Sequence, residues 1–217
     1  NMLDGFDITA MAVVASPVSV DLALTPDLLG WIFSFALAGM MVGAMALAPV
    51  ADVIGRRALI IISLLIVGVS VVLTSKAESL TLFMILRFIS GMGAGALLAS
   101  QASLAAEYSP NKYRALSVAI VTAGYPTGAM MTSVVAGYIL PEYGWRTMFL
   151  FGGVVTISMV VVAWFMIPES LKYLFEKRPA NALTKINSIL AKLKAPKLKE
   201  LPVLEVKKEK KVSIIGN

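Results

Sequence analysis

Histidine and cysteine are both absent from the 217 residues. Their absence excludes a Ser-His-Asp triad, a cysteine nucleophile, a His or thiolate metal site and any disulfide. An enzyme would have to work with carboxylates, Lys, Arg, Ser or Tyr alone, and no metal or cofactor is implied. Charge is also scarce: Asp, Glu, Lys and Arg make up 15% of the chain, where soluble domains hold about 25%. The small net charge of +6 is unevenly placed. Residues 1–168 carry seven Lys/Arg against eight Asp/Glu, and residues 169–217 carry twelve against five. The basicity therefore belongs to the last quarter, and the rest is nearly neutral and apolar. Nucleic-acid binding does not fit that distribution.

What fills the chain is hydrophobic side chain, 58% of residues, with a mean hydropathy of +0.83. A helix that crosses a membrane needs about 20 mostly apolar residues. Six stretches qualify, at about 2–22, 28–50, 58–75, 80–105, 115–140 and 147–167. The breaks between them are punctuated. Thr25-Pro26 and Ser109-Pro110 read as an N-cap followed by proline at the first helical position. Gly55-Arg56-Arg57 closes the second span, Lys76 and Glu78 divide the third from the fourth, and Pro141 ends the fifth. The sequence thus predicts an all-α membrane protein with a six-helix bundle over residues 1–168.

Orientation follows from the Lys/Arg bias of the loops. The loops after spans two, four and six hold Arg56, Arg57, Lys112, Arg114 and the twelve basic residues of the tail. Those after spans three and five hold only Lys76 and Arg146. The even-numbered exits, and the tail at 169–217, are therefore expected on the cytoplasmic side. Asp4 and Asp7 argue against a cleavable signal peptide. Asn1 stands where an initiator Met would, so the first helix reads as one already under way. Within the tail, Leu183, Ile186, Leu190 and Leu193 recur at helical spacing with Lys185, Lys192 and Lys194 between them, predicting an amphipathic helix at about 180–194. Pro196, Pro202 and the run Lys207-Lys208-Glu209-Lys210-Lys211 describe a basic linker leading toward a further element.

Three ionisable residues fall well inside the apolar spans: Asp4, Asp7 and Arg87. Each costs at least about 2.5–3.5 kcal/mol at mid-helix, which makes an intramembrane charge a functional-site candidate. Asp4 and Asp7 are i,i+3 neighbours on one helix face. Two close carboxylates do not both ionise cheaply, so the pair can hold a proton. Arg87 is a fixed cation, suited to an anion or to the aspartates. The spans divide into two sets of three with the buried charges on the first helix of each, the plan of an inverted repeat. Gly39/Gly43, Gly91/Gly95 and Gly124/Gly128 are spaced four apart, which lets helices approach closely. Gly91-Met92-Gly93-Ala94-Gly95 lies mid-span with no preceding strand, so it is a packing element and not a dinucleotide fingerprint. Pro126 predicts a kink in span five and Pro17 a bend in span one.

These residues resemble the major facilitator superfamily. Ala48-Pro49-Val50-Ala51-Asp52-Val53-Ile54-Gly55-Arg56-Arg57 is similar to its signature after the second helix, with Ala48 and Val53 departing from the pattern. Leu86-Arg87 with Gly91 and Gly93, then Glu107, Pro110 and Arg114, Gly144-Trp145-Arg146 and Pro168-Glu169-Ser170 match later motifs. Asp4-Gly5-Phe6-Asp7 and Gly124-Tyr125-Pro126-Thr127-Gly128 resemble the aromatic acid:proton symporter family. The resemblance implies the N-terminal half of a twelve-helix fold, missing its C-terminal six-helix half. It implies uptake of a small carboxylate with protons, Asp4 and Asp7 being needed for transport, across the bacterial inner membrane. It also places Asp52, Gly55, Arg56, Arg57, Glu107 and Arg114 in a cytoplasmic gate whose ion pairs hold one state closed. Another facilitator branch, such as a general metabolite symporter or an efflux pump, and a truncated, non-transporting membrane protein remain alternatives. An intramembrane aspartyl hydrolase is disfavoured, because its opposed carboxylates would come from two helices and Asp4 and Asp7 lie on one.

Overall fold

A computed structural model describes residues 1–179, 181–192 and 196–201, and the regular secondary structure among them is helical throughout. The chain divides into two units, 1–170 and 171–217. The first begins with α1 (Met2–Asp21). Next comes α2 (Pro26–Ile54), entered from Thr25 with Pro26 at its first position. The last part of α2 changes winding: Gly43–Leu47 forms a π turn, Ala48–Val50 a 3-10 turn, and Ala51–Ile54 returns to α. Pro49 accounts for this, since its ring has no N–H and collides with the carbonyl of the residue four back, Met45, inside the π turn. Gly55 ends α2 with φ 97° and ψ 147°, a backbone open to glycine and strained for other residues.

Helices α3 (Arg56–Thr74) and α4 (Leu80–Glu107) follow. Ser79 caps α4 by accepting a hydrogen bond from the Leu82 N–H at 3.3 Å. Helical residues then span Arg114–Met166, 53 residues interrupted at one non-helical position. Straight, such a rod would extend about 80 Å, against a hydrocarbon core of about 30 Å. It is not straight: Gly144 has φ 73° and ψ 178°. The packing shows the reversal, because Thr132 donates to the Phe6 carbonyl while Gly152 lies against the Phe6 ring. Residues 114–143 form α5 and 145–166 form α6, antiparallel about Gly144. The expected stop at Pro141 is thus corrected. A proline fixes a φ that a helix accepts, whereas reversing the chain needs the positive φ that Gly144 supplies. Pro126 also sits within α5 without leaving helical dihedrals. The expected cap at Ser109-Pro110 is corrected too: Ser109 Oγ donates back to the Ala105 carbonyl at 2.6 Å, and α5 starts from Tyr113.

Glycines bring several helix pairs into backbone contact, two of them most closely. A Cβ on Gly39 or Gly43 of α2 would stand 2.2 and 2.0 Å from the carbonyl oxygens of Phe88 and Met92 on α4. Reciprocally, one on Gly91 or Gly95 would meet those of Ala36 and Met40 at 2.2 and 2.0 Å. The seam between α1 and α5 repeats the device, with Gly5 against the Tyr125 carbonyl at 2.0 Å and Gly128 against that of Met2 at 1.8 Å. Val14, Val18, Val67, Phe83, Leu97, Met148 and Phe149 fill the interior. Large apolar residues such as Trp31, Met41, Val69, Ile120, Met130, Val161 and Phe165 stand on the outside. That surface suits lipid and not water, and the bundle is that of a multi-pass membrane protein.

In the second unit α7 (Leu171–Lys177) and α8 (Ala182–Lys192) pack on each other. Ala182, Ile186 and Ile189 are buried on α8, while Leu183 and Leu190 are half-buried. Leu198 folds back onto α8, exchanging two hydrogen bonds with the Asn187 side chain at 2.8 and 2.9 Å. Leu193, Lys194 and the basic run 207–211 lie outside the described residues.

Candidate functional site

Helices α1, α3, α4 and α6 converge on Arg87. It is the largest fully buried side chain among the described residues, 2% exposed. Its Nη1 donates to Asp7 Oδ1 at 3.0 Å and its Nη2 to Thr74 Oγ1 at 3.4 Å. Thr74 passes its own proton to the Ser70 carbonyl at 2.8 Å, which leaves a lone pair facing the guanidinium. The guanidinium carbon lies 4.8 Å from the Phe149 ring centre and 6.0 Å from that of Phe83, cation–π distances that favour a desolvated cation. Arg87 Nε is buried and has no acceptor.

Asp4, one turn earlier on α1, is as buried as Arg87 but faces elsewhere. Asp4 and Gln101 border a cavity of about 320 Å³ between α1, α3, α4 and α6. The two aspartates are therefore not equivalent: Asp7 holds the cation and Asp4 borders the cavity.

A second cluster closes the end of the bundle near Gly55. Arg56 pairs with Glu107 at 2.7 Å, and Ser170 Oγ donates to the other Glu107 oxygen at 2.6 Å. Glu169 Oε1 accepts from the backbone N–H of Arg57 at 3.2 Å and of Ser170 at 2.9 Å. It thereby places an anion at the start of α3, where the helix dipole favours one. A Cβ on Gly55 would stand 2.7 Å from that carboxylate, a second reason for glycine there. Arg57 lies over the Trp164 ring at 5.4 Å and bonds the Trp164 carbonyl. Tyr108 donates to the Glu169 carbonyl at 2.6 Å. Burial pushes its phenol up to about 12, with Glu107 and Glu169 adding to the rise. Asp52 and Arg114 are exposed at this end and enter no ion pair among the described residues. Gly91, Gly95, Gly124 and Gly128 belong to the helix seams and not to either charge cluster, and Pro126 is exposed on α5.

A sequence profile of the Major Facilitator Superfamily matches residues 1–213. The chain belongs to this superfamily. Its members are membrane transporters, not enzymes. This facilitator chain is 30% identical over 208 residues to the 4-hydroxybenzoate transporter PcaK of Acinetobacter baylyi, covering 96% of this chain and 45% of that protein. It is 30% identical over 182 residues to the benzoate transport protein of the same organism, covering 82% and 39%. Among solved structures, the xylose transporter XylE from E. coli in a partially occluded inward open conformation shares the fold, with a TM-score of 0.75 at 19% identity, over 88% of this chain and 53% of that one. The chain spans less than half the length of these curated relatives.

Sequence reasoning missed several members of the facilitator's clusters. Thr74 and Phe149 touch Arg87, and Glu169, Tyr108 and Ser170 complete the Gly55 end. At the opposite end Asp21 takes a hydrogen bond from Trp145 Nε1 at 3.1 Å and pairs with Arg146, whose guanidinium lies 4.4 Å from the Trp145 ring centre. Glu169, Ser170, Trp145 and Arg146 stood in motifs quoted from the sequence. Thr74 and Phe149 carry no signal there, since an apolar-span Thr or Phe is ordinary core.

Proposed function

We propose that this chain supplies the N-terminal half of a twelve-helix symporter that imports small aromatic or related carboxylates with protons across the bacterial inner membrane, its tail cytoplasmic. The buried Asp7–Arg87 pair carries this reading. A lone cation in hydrocarbon is costly, so protonating Asp7 leaves Arg87 in need of another anion, and the substrate's carboxylate is one. Proton and substrate would then enter together because each makes the other's charge tolerable. Asp4, buried one turn away on the same helix and nearer its cytoplasmic start, would take the proton on from Asp7 on its way inside. The names of the relatives, 4-hydroxybenzoate and benzoate transporters, support the substrate class.

The Arg56–Glu107 pair, with Gly55, Arg57 and Glu169 beside it, would hold the cytoplasmic end. Asp52 and Arg114, exposed at that end, would face the other six-helix half. The two halves would rock about the site, releasing substrate and proton inside. The test is uptake of labelled 4-hydroxybenzoate into vesicles by the full-length protein, with and without an inward proton gradient. Gradient-dependent uptake that benzoate competes away, and that Asp7→Asn abolishes, is the expected result. Unaltered gradient-driven uptake by Asp7→Asn would overturn the coupling role. Absence of uptake from well-inserted protein would move it to another facilitator branch.

A further inference from the structure

A small cavity of about 150 Å³ lies between α1, α2 and α4, beside the Asp7–Arg87 pair. Its polar groups are at one side: Asp7, Arg87 and Ser90. Its other walls are apolar and soft, made by Met11, Phe33 and Met40, and small residues, Gly91 and Ala94, keep it open along α4. The helices fix this volume firmly, because Gly91 is already in backbone contact with Ala36 and Met40.

Three features of the space converge on one ligand chemistry. First, Arg87 keeps a buried Nε–H without an acceptor, and an orphaned charged donor in so dry a place calls for an anion's oxygen. Second, an apolar protein cavity of about 150 Å³ admits a single benzene ring, while drug-sized ligands need about 300 Å³ or more. Third, thioethers and an aromatic edge make favourable contacts with a flat ring. From these we infer that the cavity seats the ring of a monocyclic aromatic carboxylate, its carboxylate on Arg87. Met11, Phe33, Met40 and Ala94 then set the size limit of the substrate. The inference rests on the symporter reading for the role of Arg87, and adds which residues of this half bound the ring.

Binding and transport are measured separately on the full-length protein, so that the two readings fail separately. Binding is read as the rise in unfolding temperature of the purified protein on adding 4-hydroxybenzoate or 2-naphthoate. Transport is read as uptake of labelled 4-hydroxybenzoate competed by unlabelled benzoate or 2-naphthoate. The wild type is expected to be stabilised and competed by the one-ring acids and not by 2-naphthoate. Met40→Ala should improve 2-naphthoate competition by about tenfold or more, the scale on which a pocket discriminates one or two carbons. Ala94→Leu, which fills the space, should raise the KM for 4-hydroxybenzoate by about as much with kcat little changed. Equal competition by 2-naphthoate in the wild type, or a size ranking that neither variant moves, overturns the cavity as ring site. Stabilisation by one-ring acids with this variant pattern but no gradient-driven uptake leaves the ring site standing and overturns the symporter. Neither stabilisation nor uptake by any aromatic acid overturns both.

Discussion

Arg87 shows at the scale of one residue how a charge is made tolerable in hydrocarbon. Asp7 supplies the counter-charge, Thr74 a lone pair, and Phe149 the negative face of a ring. Taking away Asp7 leaves a buried cation alone, so Asp7→Ala should destabilise the protein by about 3–5 kcal/mol. The pair at the other end of α1, Asp21–Arg146, has both side chains more than two-fifths exposed. Asp21→Ala should cost only about 0–1 kcal/mol. Thermal unfolding of both variants in one detergent compares them directly, and equal losses would show that burial does not set the difference. Arg87→Lys should not restore function, since an ammonium lacks the planar fork that meets Asp7, Thr74 and Phe149 together. Tyr108 offers a pH test. Its phenol ionises near 10.0 when unfolded and near 12 when folded, so folding favours the neutral form. The stability it contributes is whole below pH 10.0 and is lost as pH rises through 12. Unfolding temperature between those limits should fall more steeply for the wild type than for Tyr108→Phe.

At the scale of helices, the seams decide what the sequence tolerates. Gly128→Ala would drive a methyl to 1.8 Å from the Met2 carbonyl, and Gly43→Ala one to 2.0 Å from that of Met92. Backbone cannot step aside as a side-chain tip can, so each should cost about 1–3 kcal/mol or more. Gly30 on α2 and Gly137 on α5 meet nothing within 4 Å, and alanine at either should be neutral. Expression level and unfolding temperature of the four variants check this, and a loss at Gly30 equal to that at Gly43 would refute the seam argument. Gly55→Ala combines two faults, a strained φ of 97° and a collision with the Glu169 carboxylate. It should loosen the end where Arg56 and Glu107 meet, read as faster hydrogen exchange at the start of α3.

Across the whole molecule, the six helices were legible because apolar runs of membrane length are a strong signal that few charges interrupt. The glycine spacing announced close seams, and Arg87 announced itself by its cost. The bend was misread, since Pro141 is the louder signal and the conformational demand fell on Gly144 instead. Nor could the sequence tell which aspartate Arg87 would choose. An i,i+3 pair shares a face, and only packing showed Asp7 toward Arg87 and Asp4 toward Gln101. The seams also bear on how the molecule moves. Sliding one helix along its partner by a single residue, about 1.5 Å, would ram glycine-flanked backbones into each other along α2–α4 and α1–α5. The bundle therefore behaves as a stiff lever with almost no internal gearing. Spin labels at Met41 and Ile120, both exposed, should keep a fixed separation with and without substrate, and a change in their distance distribution would contradict this. A proton arriving at Asp7 then cannot be stored as a local deformation, and its work must leave through the lever's outer surface, as torque on whatever that surface touches.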